Sequence, residues 1–282
     1  MKILTLNTHS LVEEKYEEKL IEFVEMLKVE KPDVFALQEV NQSLAMPEAL
    51  DTSATGYIIS KNGNATIRVD NHAYRVAKLL LEAGMIYQWT WIPAKVGYDV
   101  YDEGIAIFSK TAFEDTEQFY ISQSEDYNNW KARKILGIRT NNKWFYSVHM
   151  GWWNDEEEPF VKQWDVFSER LRNSNEVCYI MGDFNSPANR RNEGYDYVVR
   201  SGWMDTWKAA KSKDSGITVG AVIDGWKDKA DEVTDQDEMG MRIDFIFCNK
   251  VIPVESSKVV CNGVNYPIVS DHYGVMIEIA EV

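Results

Sequence analysis

Apolar and polar residues alternate from Lys2 to Asn7, which predicts a first strand ending on an amide side chain. Tyr16, Leu20, Phe23, Val24 and Leu27 then recur at helical spacing, and Lys31-Pro32-Asp33 stops that helix. Val34 to Leu37 is a short apolar run followed by Gln38-Glu39, so a buried strand delivers a carboxylate at its tip. Residues 42–70 are polar and irregular, and a second helix is predicted from about Asn71 to Glu82, ending near Gly84. Strand patterns follow at Tyr87–Pro93, Glu103–Ser109, Ala132–Arg139 and Trp144–His149. Pro159 suits the first position of a third helix, whose apolar face is Phe160, Trp164, Phe167 and Leu171. Val177–Met181 is a further strand, with Asp183 and Asn185 just beyond it. Lys208–Met241 is polar and contains glycine, which predicts a long loop. Arg242–Cys248, Lys258–Cys261 and Tyr273–Ile279 close the chain as strands.

Strands outnumber helices and helices interrupt them throughout, with no internal repeat and no Pro/Gly/Ser-rich linker. That pattern predicts one α/β domain over residues 1–282, with two packed sheets flanked by helices. A second regularity concerns chemistry. Strand ends repeatedly present an acid, an amide or an imidazole: Asn7, Glu39, His149, Asp183 with Asn185, Asp244, and Asp271 with His272. Any one of these alone reads equally well as a cap or turn residue. Together they suit phosphoryl hydrolysis. A hard divalent cation wants carboxylate and amide oxygens, a water needs a base, and donors must meet charge developing on the phosphoryl oxygens.

Composition narrows the partners. Forty-five acidic against 30 basic side chains give a net charge of −15, and affinity for nucleic acid comes largely from neutralised phosphates. The basic patch from Lys131 to Lys134 is short, so nucleic acid is disfavoured as the partner. Three cysteines, Cys178, Cys248 and Cys261, cannot all pair and match no zinc spacing, which predicts buried thiols in a reducing setting. No window approaches a membrane span and the N-terminus reads as a strand, so the expected location is cytoplasmic, away from membranes.

The blocks Leu4-Thr5-Leu6-Asn7, Leu37-Gln38-Glu39-Val40, Ser147-Val148-His149-Met150, Gly182-Asp183-Phe184-Asn185-Ser186-Pro187, Arg242-Ile243-Asp244-Phe245-Ile246 and Ser270-Asp271-His272 resemble the ordered signature of the endonuclease/exonuclease/phosphatase family. The match runs from the first strand to the last. The resemblance implies a DNase I-like four-layer α/β sandwich, with two mainly antiparallel sheets and the site at one open edge. It implies a Mg²⁺-dependent phosphoesterase, Mn²⁺ being a substitute, with Glu39 as principal metal ligand assisted by Asn7 and Asp271. By the same analogy His272 activates water and Asp244 orients it, Asp183 and Asn185 position nucleophile and phosphate, and His149 donates to a phosphoryl oxygen. Glu103 would orient His149, with a strand-edge charge as the competing reading.

The substrate expected is a small phosphate ester, and aromatic supply points to a sugar. Trp152 and Trp153 follow His149 and are expected to wall the substrate, while Trp144 and Trp164 are expected in the core. Trp89 and Trp91 share one strand face, adding aromatic surface near the expected rim. Arg133, beside Trp130, is expected to contact phosphate, unless it pairs with the abundant acids. The segments Asn71-His72-Ala73-Tyr74, Tyr87–Tyr98 and Tyr101–Ala106 are similar to the bacterial branch of the family that contains maltose 6′-phosphate phosphatase. The alternatives are a DNA or RNA nuclease and a non-catalytic binding module on the same scaffold. His9 and His72 are expected in surface or packing roles, and Glu156-Glu157-Glu158 and Asp235 to Glu238 as solvated loop charge.

Overall fold

The structure is a computed structural model that describes residues 1–172, 174–220 and 240–280. The elements run β1 (Lys2–Asn7), α1 (Tyr16–Glu30), β2 (Val34–Ser43), α2 (His72–Glu82), β3 (Gln88–Gly97), β4 (Tyr101–Ser109), β5 (Asp115–Tyr120), β6 (Lys134–Thr140), β7 (Lys143–His149), α3 (Phe160–Leu171), β8 (Val177–Asp183), α4 (Gly194–Arg200), β9 (Met204–Asp205), α5 (Thr206–Ala209), β10 (Ser212–Lys213), β11 (Asp244–Cys248), β12 (Val254–Val260) and β13 (Gly274–Ile279). Among the described residues, one sheet has the order β10-β12-β13-β1-β2-β4-β3 and the other β5-β6-β7-β8-β11-β9. Most pairings are antiparallel. The exceptions are β1 with β2, β7 with β8, and β10 with β12.

Strand alternation builds the layers. In β1 and β2, Leu4, Leu6, Phe35 and Leu37 face α1 and α2, packing with Leu20, Phe23, Val76 and Leu80. Their alternates Ile3, Val34 and Ala36 face the second sheet, meeting Leu136, Ile138, Phe145 and Met181. The far side of that sheet packs Tyr146, Val148, Ile180 and Phe247 against Phe160, Trp164 and Phe167 of α3 and Tyr195 and Val198 of α4. The result is a four-layer sandwich of helix, sheet, sheet and helix.

Several elements differ from the sequence reading. β5 is a polar edge strand and α4 a two-turn helix, and neither carries the apolar periodicity that would betray it. The stretch from Lys208 holds the end of α5 and the short strand β10, while the acidic run Asp235 to Glu238 lies outside the described residues. Pro159 is the residue before α3, not its first. Trp89 and Trp91 do share a face, but it is the helix-covered one: both are fully buried, and their indole N–H groups donate to Thr55 O and Val40 O. They are core, not rim. All three cysteines are free and buried.

Candidate active site

Because β1 runs parallel to β2 and β7 parallel to β8, the C-terminal ends of these four strands lie at one edge of the sandwich. Antiparallel β11 adds its first residue there, with Asp244 opposite Asp183, and the turn leading into β13 adds Asp271 and His272. Glu39 is aimed by a bulge. The pairing of β2 with β4 slips between Leu37 and Val40, and Glu39 itself takes a left-handed backbone (φ 49°). A bulge re-aims a side chain in this way. A second bulge, between Pro93 and Lys95 in β3, brings Lys95 opposite Glu103. Gly182 precedes Asp183 at φ 147°, where a Cβ would collide with the Val148 carbonyl oxygen, so only glycine lets β7 and β8 close up at the site.

Asn7 Nδ2 donates to Glu39 Oε1 (2.9 Å) and to Asp183 Oδ2 (3.1 Å), and lies 3.5 Å from His272 Nε2. His272 Nδ1 is 2.9 Å from Asp244 Oδ2, and its Nε2 is 3.8 Å from Asp183 Oδ2. His149 Nε2 lies 3.6 Å from the same Asp183 oxygen and 4.0 Å from Glu39 Oε1. Asn185, at φ 46°, donates its backbone N–H to Asp183 Oδ1 (2.8 Å) and its side-chain amide to Met150 O (3.0 Å). Asp183 is thus a carboxylate between two imidazoles.

The electrostatics of the two histidines diverge. Burial alone would lower His272, but the charges of Asp244 and Asp183 outweigh it and hold the imidazole well above its ordinary value. Burial, Arg133 and Lys95 push His149 well below, so it is neutral. Burial lifts Asp183 to about 7, with Asp244 and Glu39 adding to the rise against the opposing pull of His272. Burial, then Glu103 and Asp271, raise Glu39.

Glu39, His149, Asp183, Asn185 and His272 line a cleft of about 240 Å³. Three acid-and-imidazole groups in or beside it have ligand atoms within 4.8 Å of one another: Glu39, His149 and Asp183; Asp183, Asp244 and His272; and His9, Glu13 and Asp271. The donor set fits a hard divalent cation, because Glu39, Asp183 and Asp271 supply carboxylate oxygens and Glu39 has no Lys or Arg within ion-pair distance among the described residues. Asn7 contributes differently from the sequence expectation: its amide nitrogen faces the carboxylates, and its oxygen accepts from the His9 N–H (3.2 Å).

The cleft therefore unites Glu39, His149, Asp183, Asn185, Asp271 and His272, with Asn7 bonded to Glu39 and Asp183 and Asp244 to His272 behind them. Arg133 and Trp152 line it too. Trp153 does not. Its ring packs against Phe160 and Tyr197 on the α3–α4 side, leaving Trp152 with the exposed Trp130 (ring centroids 6.0 Å apart) as the aromatic wall. Glu103 does not reach His149: its carboxylate pairs with Lys95 Nζ at 3.1 Å. Nor does Arg133 pair with an acid among the described residues; its Nη1 donates to Trp130 O and Ala132 O instead. Trp164 is buried as expected, while Trp144 is only partly buried and donates to Glu176.

Sequence reasoning missed Lys95, Tyr98 and His9. His9 is buried, not superficial, and lines the cleft with Nδ1 2.8 Å from Glu13 Oε1 and Nε2 3.2 Å from the Tyr98 hydroxyl. Burial lowers its proton affinity, but Glu13, Glu39 and Asp271 together raise it to about 9. The only signal for His9 in the sequence was its place two residues after Asn7.

A model of the endonuclease/exonuclease/phosphatase family matches residues 4–272. Among solved structures, an endonuclease/exonuclease/phosphatase family protein from Leptotrichia buccalis C-1013-b is 30% identical, with 100% of each chain covered and a TM-score of 0.83. A mannosyl-6-phosphatase from Bacteroides thetaiotaomicron VPI-5482 is 16% identical over 100% of each chain, TM-score 0.65. A 3′ phosphatase from Neisseria, bound to a product DNA hairpin, is 15% identical over 100% of each chain, TM-score 0.61. The last two likenesses are of fold. No curated protein matches the sequence.

Proposed function

Because this chain belongs to the endonuclease/exonuclease/phosphatase family and is a metal-dependent phosphoric ester hydrolase, we propose that it hydrolyses a small phosphate ester, a phosphomonoester of a sugar such as maltose 6′-phosphate. The observation that carries this reading is the cleft itself. Glu39, His149, Asp183, Asn185, Asp271 and His272, from distant strands and turns, meet in it, two buried cations, Lys95 and Arg133, line it, and Trp130 and Trp152 give it flat apolar faces. Such faces suit a sugar ring, and the Arg133 guanidinium suits the phosphate. The net charge of −15 opposes a polyanionic partner. No helix among the described residues is long and apolar enough to cross a membrane. The reading places one catalytic domain, residues 1–282, in the cytoplasm.

In this mechanism Glu39, with Asp271, would hold Mg²⁺ or Mn²⁺, which would supply polarisation of the phosphoryl oxygens and stabilisation of the leaving oxygen, while Asn7 steadies the Glu39 carboxylate through its Nδ2. His149, neutral, donates one N–H to a phosphoryl oxygen. Arg133 meets a second oxygen from its own wall. Asn185 fixes the Asp183 carboxylate through its backbone N–H. The water's proton goes to the Asp183–His272 pair as its oxygen attacks phosphorus and the ester P–O bond breaks. His272, held protonated between Asp244 and Asp183, orients that pair, and Asp183, lifted to about 7, is the acceptor nearest neutrality within it. This revises the sequence expectation, which gave the base role to His272.

A metal-supplemented panel tests the proposal. Sugar phosphates, including maltose 6′-phosphate, should release phosphate with Mg²⁺, small phosphodiesters should be turned over more slowly, and oligonucleotides should not be cleaved. Cleavage of oligonucleotides with no release from any sugar phosphate would replace it with the nuclease reading. No metal uptake and no phosphate release from any ester would leave a binding module.

A further inference from the structure

A buried cation without a counter-ion is costly and persists where something compensates it. Lys95 and Arg133 are 7% and 3% exposed and both line the cleft. Lys95 is neutralised by Glu103, its cross-strand partner, at 3.1 Å. Arg133 is not neutralised. Among the described residues no carboxylate lies within ion-pair distance of it, its Nη1 is engaged by two backbone carbonyls at 3.0 and 3.1 Å, and its Nε is buried with no hydrogen-bond partner. The wall thus carries one unspent positive charge and unspent donor capacity on a planar guanidinium.

Resting on the phosphatase reading above, we infer that Arg133 is the specificity-determining residue that selects a phosphomonoester dianion over a phosphodiester, with the Lys95–Glu103 pair as its charge-neutral prop. A monoester brings a second negative charge and three non-bridging oxygens, one of which the remaining Nη2 donor of Arg133 can meet while the uncompensated charge attracts the dianion. A diester brings one charge and places a substituent where an oxygen would bind. The unpaired guanidinium therefore favours the dianion twice, through charge and through shape. Glu103 keeps the count at one: were Lys95 also unpaired, the wall would carry two charges and hold inorganic phosphate, the product, more tightly.

The test compares p-nitrophenyl phosphate with methyl p-nitrophenyl phosphate, together with inhibition by inorganic phosphate, in the full chain with Mg²⁺. Wild type should prefer the monoester. In Arg133→Gln, kcat/KM for the monoester should fall on the order of 10- to 100-fold, as for a lost charge-assisted hydrogen bond, while the diester changes by less than about threefold. Arg133→Lys should recover part of the preference. Glu103→Gln should tighten phosphate inhibition, the opposite sign to Arg133→Gln, which a merely structural role would not produce. Equal losses on both esters, or weaker phosphate inhibition in both variants, overturn the inference and leave the phosphatase reading standing. A wild-type chain that prefers the diester overturns both.

Discussion

At Glu39 the chain leaves extended geometry for a left-handed backbone, a conformation costly for a residue with a Cβ and concentrated at functional sites. The side chain gained by this is a carboxylate 2.9 Å from Asn7 Nδ2 and 4.0 Å from His149 Nε2. Glu39→Gln keeps the shape and removes the charge. Turnover at low Mg²⁺ should fall and recover in part at high Mg²⁺, and direct titration should show weaker metal binding; a rate unchanged at every metal concentration removes Glu39 from the site. His72 offers a separate residue-scale experiment. It is buried with Nδ1 3.0 Å from the Tyr16 hydroxyl, and burial, with the Arg75 charge, lowers it to about 3 from an ordinary 6.5. Below about pH 6.5 the unfolded chain takes up this proton and the folded chain does not until about pH 3. Stability contributed by the neutral ring is therefore complete above that window and drains away as pH falls through it, at up to about 1.4 kcal/mol per pH unit. His72→Phe should flatten the acid limb of urea-unfolding stability; an identical slope in the variant refutes the role. Residue identities were legible where a motif carried them. His9 was not, because its place depends on Glu13, Tyr98 and Asp271 meeting it in space.

Elements were legible where burial imposes a period. β1, α1, α2, α3 and β13 follow their hydrophobic spacing closely, whereas β5 lies at a sheet edge with a half-exposed pattern that imposes none. Alternation put Trp89 and Trp91 on one face of β3 but could not say which face the helices would cover. The same limit applies to Glu158. It reads as loop charge, yet it is 4% exposed and its two oxygens accept the backbone N–H groups of Gln123 and Ser124, each at 2.7 Å. That pins the connection between β5 and β6, which carries Trp130 and Arg133. Glu158→Ala leaves both N–H groups without their acceptor and should cost roughly 2–4 kcal/mol in urea unfolding while raising KM. A change inside the ±0.5 kcal/mol or so of ordinary surface substitutions, with KM unaltered, would show the anchor to be idle.

At the scale of the molecule, the four layers follow from one rule applied to both sheets: each central strand is apolar on both sides, so each sheet must be covered twice. That much was readable from the sequence, as was the family signature that places the acids at one edge. The net charge gives a measurable consequence. Between 50 and 200 mM salt, kcat/KM for a sugar phosphate should change by less than about threefold, whereas a nuclease relying on many phosphate contacts would lose on the order of 10³ or more. A steep loss would indicate an extended basic groove.

The first and last strands are neighbours, and Asn7 and His272, 265 positions apart, stand 3.5 Å from each other. A chain emerging from the ribosome therefore carries nearly all of its catalytic groups while unable to use them, until β13 has been made and seated against β1. Contacts so distant in sequence form slowly. Regain of turnover on refolding should track the slowest phase, and loosening that final clasp should silence the enzyme while its helices and inter-sheet core still stand.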